Sequence, residues 1–183
     1  MKKVILLLVF FSINQSLFPQ SKSPKIVIAA SKGNVSAVIN CIRKGDDVNA
    51  KSRSQWSALA YAVNKNNYKL AELLIKRKAN VNIRINTKET PLLLASKYNH
   101  NDVAILLINN KAKVESKDII KFTAMHWAAK NANKVLIQAL IDAGANINAK
   151  NVQGRTPLDM ADANIHSFMQ SKGAKTGREL MTK

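Results

Sequence analysis

From residue 24 onward, the sequence repeats itself with a period of 33 residues. Two columns show this period well, one of alanines and one of larger apolar residues. The alanines are Ala29, Ala62, Ala95, Ala128 and Ala161, and the larger residues are Ile26, Leu59, Leu92, Met125 and Leu158. A fixed period of this length indicates a solenoid, in which each unit buries its apolar face only by stacking on its neighbours. We therefore expect similar units that share one continuous core along the stack.

The pattern within one unit favours helices over strands. Only 5% of the residues are aromatic, and there are 6 Gly and 4 Pro residues, which are too few for a β-sandwich or a β-barrel. In the fourth unit, Leu136 and Leu140 lie on one face of a predicted helix. Thr123 can cap the preceding helix, and Gly144 can end this one in a left-handed conformation. The repeats are expected at about 24–51, 52–84, 85–117, 118–150 and 151–176, and a loose polar tail at 177–183.

The motifs of these units resemble the ankyrin repeat family. Thr-Pro-Leu-Leu at 90–93, Thr-Ala-Met-His at 123–126 and Thr-Pro-Leu-Asp at 156–159 resemble the family's Thr-Pro-Leu-His motif. Gly-Ala-Asn-Ile-Asn at 144–148 resembles its Gly-Ala-Asp-Val-Asn motif. The resemblance covers residues 24–176 and implies an all-α ankyrin repeat solenoid with short β-hairpin-like fingers. It further implies a non-enzymatic protein–protein interaction module that binds its partner in a concave groove.

Two repeats depart from the motif at the end of their second helix. Lys78 and Lys111 stand where Gly45 and Gly144 stand in other repeats. If these positions are left-handed, each lysine costs about 1 kcal/mol of stability, because a Cβ atom is strained there. The last repeat departs by length, since its Gly173 comes early, and its second helix is expected to be short.

The first twenty residues have the pattern of an export signal. Lys2 and Lys3 precede an unbroken apolar run at 4–11, which is too short to span a bilayer. We expect a signal peptide at 1–20 that is cleaved between about 16 and 23, and a mature chain without a transmembrane span. The alternative is a buried N-terminal helix. The first repeat is expected to start with Ser23 as N-cap and Pro24 as the first helical residue, and the protein to be periplasmic or secreted.

The chain is strongly basic, with 29 Lys and Arg against 11 Asp and Glu, a formal net charge of +18. Such a charge attracts acidic proteins, nucleic acids, acidic polysaccharides and anionic membrane surfaces. Lysines far outnumber arginines and asparagine is abundant, so a bias in base composition is an alternative origin of the charge. Lys51, Arg84, Lys117 and Lys150 recur at the repeat period and would form a basic ladder along the fingers. Lysine is also ordinary at this position in the family.

No group of residues predicts catalysis, a metal site or a cofactor. His126 fills the last position of the Thr-Pro-Leu-His motif and His100 a turn between helices, so both are interpreted as structural. No pair of histidines has the spacing of a metal-binding helix. The single cysteine, Cys41, lies in an apolar column and is interpreted as a buried hydrophobic residue. We expect no catalytic residues, no metal and no cofactor, and we do not expect an enzyme.

The candidate binding residues are those that the repeat register places at finger tips and at the ends of the first helices. Ile119 and Ile120 occupy tip positions that usually carry polar residues, and with Trp56, Tyr98 and Phe122 they would form apolar anchors in a basic frame. The alternative is that the isoleucines fold inward and that Trp56 and Phe122 pack over the finger base. Trp127 is assigned to the core. The full set of candidates is Arg53, Trp56, Lys65, Asn86, Glu89, Lys97, Tyr98, Ile119, Ile120, Phe122, Lys130 and Arg155.

The sequence thus predicts a monomeric scaffold that binds a protein, expected to be acidic, by rigid presentation of preformed fingers. The second hypothesis is a polyanion binder that is driven by the charge of +18. It would bind nucleic acid, acidic polysaccharide or an anionic membrane, and its affinity would fall steeply with salt. Weak polyanion binding is compatible with the first hypothesis as well.

Overall fold

The computed structural model describes residues 23–182, and the predicted export signal at 1–20 lies outside these residues. Between residues 23 and 182 the chain forms ten α-helices in five pairs, with a short 3-10 helix before the last of them. None of these helices combines the length and the apolar character that crossing a bilayer requires. In chain order they are α1 (Lys25–Ser31), α2 (Val35–Arg43), α3 (Ala58–Asn64), α4 (Tyr68–Lys76), α5 (Pro91–Lys97), α6 (Asn101–Asn109), α7 (Ala124–Lys130), α8 (Lys134–Asp142), α9 (Pro157–Met160), the 3-10 helix (Ala163–Ile165) and α10 (His166–Ser171).

The helices form two layers. The first helix of each repeat packs against the first helices of the adjacent repeats, and we call α1, α3, α5, α7 and α9 the inner helices. The second helices are the outer helices, and α4, α6 and α8 pack on one another in the same way. Within each repeat the two helices also contact each other. The predicted all-α solenoid of helix pairs is therefore confirmed.

Between the helix pairs, the chain makes a short hairpin-like turn that we call a finger, and each finger takes the number of the repeat whose inner helix it precedes, from the second repeat to the fifth. Each finger is closed by one backbone hydrogen bond between residues four apart. These bonds run from Ser52 N to Trp56 O (2.8 Å), Ile85 N to Glu89 O (3.0 Å), Asp118 N to Phe122 O (3.1 Å) and Asn151 N to Arg155 O (3.0 Å). In the part of the chain that the structure describes, β pairing is limited to an isolated bridge between Lys51 and Ser57. The fingers are hairpin-like, as expected, without forming a sheet.

Side-chain caps explain where most helices begin. The hydroxyl of Ser57 accepts a hydrogen bond from Ala60 N at the start of α3, and Thr90 does the same at the start of α5. The first repeat differs from the expectation. Its helix begins at Lys25 with Pro24 as N-cap and no side-chain cap, so Ser23 lies one residue outside. The cause is register, since Pro24 falls in the column of Ser57 and Thr90.

The outer helices end in the left-handed conformation that the sequence predicts. Backbone φ is 68° at Lys78 and 67° at Lys111, against 84° at Gly45 and 81° at Gly144. All four residues therefore adopt the same helix end, although two of them carry a side chain. The predicted left-handed conformation at Lys78 and Lys111 is confirmed, and the stability cost of the two side chains stays a prediction.

An asparagine in most repeats clips one repeat to the next. The Asn82 side chain accepts a hydrogen bond from Lys113 N (2.8 Å) and donates one to Lys111 O (3.3 Å). Asn49 and Asn148 make the same pair of bonds to the repeat that follows each of them. Glu115 holds this position in the third repeat and accepts a single bond, from Asn146 N at 2.8 Å. A carboxylate has no proton to donate, so one carbonyl loses its partner there.

The last repeat is shortened in both helices, because α9 has 4 residues and α10 has 6. The short second helix was expected from the early Gly173. The start of the tail is not loose, however, since Gly177 N donates to the carboxylate of Asp159 (2.7 Å) and Thr156 Oγ1 donates to Lys175 O (2.7 Å). A Cβ atom on Gly177 would collide with the carbonyl oxygen of Gly154. The start of the tail thus folds onto the last finger and the start of α9.

Candidate partner-binding face

The fingers and the inner helices share one face of the solenoid, which we call the inner face. Each finger runs directly into the inner helix of its own repeat. The C-terminal ends of successive inner helices are tied together, since Asn131 Nδ2 donates to Ser96 O (2.9 Å) and to Lys97 O (3.3 Å). The inner face is therefore a preformed surface whose parts are fixed relative to each other.

The fourth and fifth fingers expose an apolar patch on this face. Ile119 is 60% exposed, Ile120 is 42% exposed and Val152 is 55% exposed. A backbone hydrogen bond from Val152 N to Ile120 O (3.2 Å) joins the two fingers directly. We call these three residues the tip patch. The alternative in which the two isoleucines fold inward is therefore wrong.

The turn geometry explains why the isoleucines remain outside. Asp118 is buried, and its Oδ1 accepts hydrogen bonds from the backbone N–H of Ile120 and of Phe122, both at 2.9 Å. Asn151 plays the same part in the fifth finger, where it accepts from Gln153 N and Arg155 N. The polar side chain at the finger base fixes the turn, and the residues at its tip point into solvent.

Two aromatic assignments from the sequence are wrong. Phe122 was expected among the exposed anchors, but it is buried because its ring packs 5.0 Å from His126 and 5.0 Å from Trp127. Trp127 was assigned to the core, but it is only half-buried and lies on the inner face. Trp56 is half-buried against Tyr61, with ring centroids 4.9 Å apart. The alternative interpretation, in which these two rings pack over the finger base, is correct for Phe122 and partly correct for Trp56.

Glu89 is buried and is not available at a finger tip. Its Oε1 forms a salt bridge with Lys97 Nζ at 2.9 Å, and its Oε2 accepts from Thr87 Oγ1 at 2.6 Å. The hydrogen bond to Glu89 raises the pKa of Lys97, against the opposing effect of partial burial. This pair crosses from the third finger to the end of α5.

Trp127 lies beneath two cations. The Nζ atoms of Lys97 and Lys130 are each 5.4 Å from the centroid of its ring. At that distance, an ammonium group over an indole face is attracted by the ring quadrupole. The indole Nε1 of Trp127 is buried and, within residues 23–182, has no hydrogen-bond partner. Trp127 is therefore held by its ring contacts and not by its polar atom.

The structure thus sorts the predicted site residues by exposure. The exposed ones are Arg53, Lys65, Asn86, Tyr98, Ile119, Ile120, Lys130 and Arg155; the half-buried ones are Trp56 and Lys97; and the buried ones are Glu89 and Phe122. Sequence reasoning did not select Trp127 and Val152. The sequence signal for Trp127 was Tyr61 in the same column, because tyrosine and tryptophan each carry a polar group that favours partial exposure.

Two members of the basic ladder have structural roles. Lys51 Nζ donates to Arg84 O (3.0 Å), one repeat further along. Arg84 in turn donates to Lys117 O (2.9 Å) and to Lys88 O (2.8 Å). These two side chains hydrogen-bond to backbone carbonyl groups within and between neighbouring fingers. They are consequently less available to a ligand than the regular spacing suggests.

His126 forms a link between two repeats. Its Nδ1 accepts a hydrogen bond from Thr123 N (3.2 Å), so its Nε2 carries the proton and donates to Arg155 O (3.2 Å). Burial lowers the pKa of this histidine, which keeps the ring neutral. Every ring nitrogen is used within the fold, which agrees with the structural interpretation.

Cys41 and His100 each have contacts within their own part of the fold. Burial raises the pKa of the Cys41 thiol, and the residue is half-buried rather than fully enclosed. His100 contacts Asn64 O (3.3 Å) and stacks on Tyr98. In residues 23–182, no three His, Cys, Asp or Glu side chains come together as metal ligands would.

Comparison with known families agrees with this geometry. A family model described as ankyrin repeats (3 copies) matches residues 26–118, about half of the chain. A second, described as ankyrin repeats (many copies), matches residues 125–164. No curated protein matches the chain significantly.

Proposed function

Since the chain belongs to the ankyrin repeat family, we propose that it binds a protein partner through the inner face. Ankyrin repeats are generally protein–protein interaction modules and are typically non-enzymatic. In the proposed role, the protein is a monomeric scaffold that presents a rigid surface. A preformed surface loses little conformational entropy on binding, so a few good contacts give useful affinity.

The tip patch is the observation that carries this proposal. Ile119, Ile120 and Val152 are large apolar side chains, exposed side by side on two fingers. The fold gains nothing from their exposure, since burial of each would be favourable by about 1.5–3 kcal/mol. Exposed apolar residues that are grouped together and surrounded by charge are typical of protein-binding sites.

The charge distribution supports an acidic partner. On the inner face Glu89 and Asp118 are buried and occupied by their own hydrogen bonds. Arg53, Lys65 and Arg155 are exposed on the same face. The net charge of +18 would steer an acidic protein towards the surface and raise its association rate. Export to the periplasm or beyond remains part of the proposal and rests on the N-terminal sequence.

A polyanion binder is the second candidate, because the charge is not confined to the inner face. Exposed basic residues also cluster at the ends of the outer helices, at Arg43, Lys44, Lys76, Arg77, Lys78 and Lys111. Such a distribution would attract nucleic acid or an acidic polysaccharide without a specific pocket. Binding of this kind weakens steeply as salt is added.

The test is affinity capture from periplasmic and extracellular extracts, with the chain from Ser23 as bait, at about 150 mM and about 500 mM salt. The test variant is the double substitution Ile119→Ser and Ile120→Ser. Val135→Ser is the matched control, because Val135 is 61% exposed on the outer helix α8 of the same repeat. Thermal unfolding of all three baits shows whether they are equally folded.

The proposal expects capture of one acidic protein that stays bound at high salt. The Ile119→Ser/Ile120→Ser bait should fail to capture this protein, and the Val135→Ser bait should capture it as the parent does. Capture of acidic polymers alone, lost at high salt and equal for all baits, would show that charge is the function. Equal capture of the same protein by both variants would show that the tip patch does not bind it.

A further inference from the structure

We infer that Trp127, Lys97 and Lys130 hold an acidic, extended segment of the partner, with one of its carboxylates beside the two ammonium groups. We call these three residues the tryptophan–lysine cluster. This inference rests on the proposed function, because it assigns a chemistry to one part of the inner face. The tryptophan–lysine cluster lies beside the tip patch and shares no residue with it.

The two ammonium groups lie near the same indole ring. Both Nζ atoms are 5.4 Å from the Trp127 ring centroid, so they are separated by no more than twice that distance. Lys97 is paired with Glu89, whereas Lys130 has no salt bridge within residues 23–182. A carboxylate placed between two such cations is attracted by both and can accept charge-assisted hydrogen bonds from them.

The protein's own nearby carboxylates do not fill this place. Glu89 uses one oxygen for Lys97 and the other for Thr87. Asp118 is buried and accepts the two backbone bonds that hold the fourth finger. Moving either carboxylate towards Lys130 would break hydrogen bonds that shape a finger. A carboxylate that pairs with Lys130 would therefore belong to another molecule.

The fold does not require a tryptophan at this position. Leu94 stands at the same place in the third repeat and is 1% exposed, so a leucine fills the space completely. Trp127 instead leaves a buried indole N–H without an acceptor, which is unfavourable for stability. What it adds is a flat aromatic face on the surface, and tryptophan is the residue type most enriched in binding hot spots.

Lysines also stand at the ends of the preceding inner helices, although Lys32 and Lys65 lie one residue later in the repeat register than Lys97 and Lys130. Four successive inner helices end at or next to a lysine, and these are Lys32, Lys65, Lys97 and Lys130. Packed helices are about 8–10 Å apart. A peptide in the polyproline II conformation advances about 9 Å in three residues and presents every third side chain on one side. Acidic residues at every third position of such a peptide would therefore match the spacing of successive inner helices.

The lysines also have a simple structural explanation, because a positive charge at a helix C-terminus is favourable. The test must therefore measure binding and stability separately. The probe is a synthetic peptide with glutamate at every third position. One comparison peptide has the same composition with its glutamates adjacent to each other. A second comparison peptide has glutamine in place of every glutamate. Binding is followed by fluorescence in a Trp56→Phe background, in which Trp127 is the remaining tryptophan.

The variants are Lys130→Gln and Trp127→Leu. The second variant introduces the residue type that the preceding repeat carries at the equivalent position, Leu94. Lys69→Gln is the control, since Lys69 is an exposed lysine on the outer helix α4 and its loss changes the net charge equally. Lys130→Gln is expected to raise the Kd of the spaced peptide by about fivefold. Trp127→Leu is expected to weaken binding, as measured by calorimetry, without unfolding the protein, and Lys69→Gln to change the Kd little.

Three results would overturn the inference: no binding of the spaced peptide, equal binding of spaced and clustered glutamates, or equal effects of Lys130→Gln and Lys69→Gln. Displacement of the peptide by heparin that is equally strong in all variants would likewise indicate general attraction of polyanions. If capture of the protein partner needs Ile119 and Ile120 but not Lys130 or Trp127, the proposed function stands and this inference fails. If capture is indifferent to Ile119 and Ile120, the proposed function fails instead.

Discussion

The third repeat (85–117) and the fourth (118–150) have the same helices and different polar contacts. Each has an inner helix of 7 residues and an outer helix of 9. Four of the equivalent positions at which they differ carry these contacts, with Leu93, His100, Lys111 and Glu115 in the third repeat and His126, Asn133, Gly144 and Asn148 in the fourth. The fold is thus retained even where each of these polar or glycine contacts is replaced.

The difference shows which residues specify the solenoid and which adjust its stability. Apolar columns are filled in both repeats, since Leu92, Ala95, Met125 and Ala128 are all buried. The helix cap illustrates the adjustable part: Asn133 caps α8 through its side chain, whereas His100 makes no such bond at the start of α6. Exchanging single residues between the two repeats measures each contribution in turn.

The largest effect is expected for His126→Leu, which places the residue of the third repeat in the fourth. Thr123 N loses its acceptor and Arg155 O its donor, and both groups are in the joint between repeats. The free energy of unfolding in urea at neutral pH should fall by about 2–4 kcal/mol. His100→Leu is the control and should cost less, because His100 makes one contact at 3.3 Å. Equal stability of His126→Leu and the parent would contradict the assigned role.

The same histidine should make stability depend on pH. Burial lowers the pKa of folded His126 below its ordinary value of 6.5, so the unfolded chain binds more protons as the pH falls through that range. Its stabilising contribution is complete above pH 6.5 and is lost as pH falls towards the lowered pKa. Urea unfolding at about pH 7.5 and about pH 5.5 should show the decrease. It should be smaller in His126→Leu, and an unchanged decrease there would assign the effect to other groups.

The left-handed helix end gives the next effect in size. Lys111→Gly gives the third repeat the residue of the fourth and should raise stability by about 1 kcal/mol, or about 2–4 °C in Tm. Lys78→Gly should do the same in the second repeat, and Gly144→Lys should lower Tm by a similar amount. The check is thermal unfolding by circular dichroism. A flat or lower Tm in both glycine variants would refute the strain at Lys78 and Lys111.

The smallest effect is expected for Glu115→Asn. It supplies the amide donor that the clip between the third and fourth repeats lacks, and it keeps the acceptor for Asn146 N. A gain of about 0.5–1 kcal/mol in urea unfolding would fit one added hydrogen bond. Glu115→Gln serves as the control, because it removes the charge while its longer side chain is not matched to the clip. If Gln and Asn give the same change, the cause is charge and not the clip.

Much of the fold could be predicted from the sequence, because each repeat carries the same local signals. The apolar columns fix the stacking, and the caps and the left-handed positions fix the helix ends, which is why Lys78 and Lys111 could be identified without a structure. Register errors of one residue remained, as at Ser23 and Pro24, since serine and proline are both plausible at a helix start.

The site was harder to predict because exposure on the inner face depends on side-chain contacts between a finger and the inner helix that follows it, and within the finger itself. Phe122 is buried by His126 and Trp127, and no property of the finger sequence alone indicates this contact. Glu89 is buried because Lys97 lies at the end of the following helix and reaches back to it. The exposure of Ile119 and Ile120 depends on Asp118, whose side chain closes the turn beneath them.

The most direct test of the central claim, that the inner face binds a protein, is site-specific photocrosslinking in native extract. A photoreactive phenylalanine derivative replaces Ile120 on the inner face in one protein and Val135 on the outer helix α8 in another. Both positions are exposed and belong to the same repeat. The account predicts a discrete crosslink to an acidic protein from position 120 and none from position 135. A crosslink from 135 alone, or the same products from both, would contradict it.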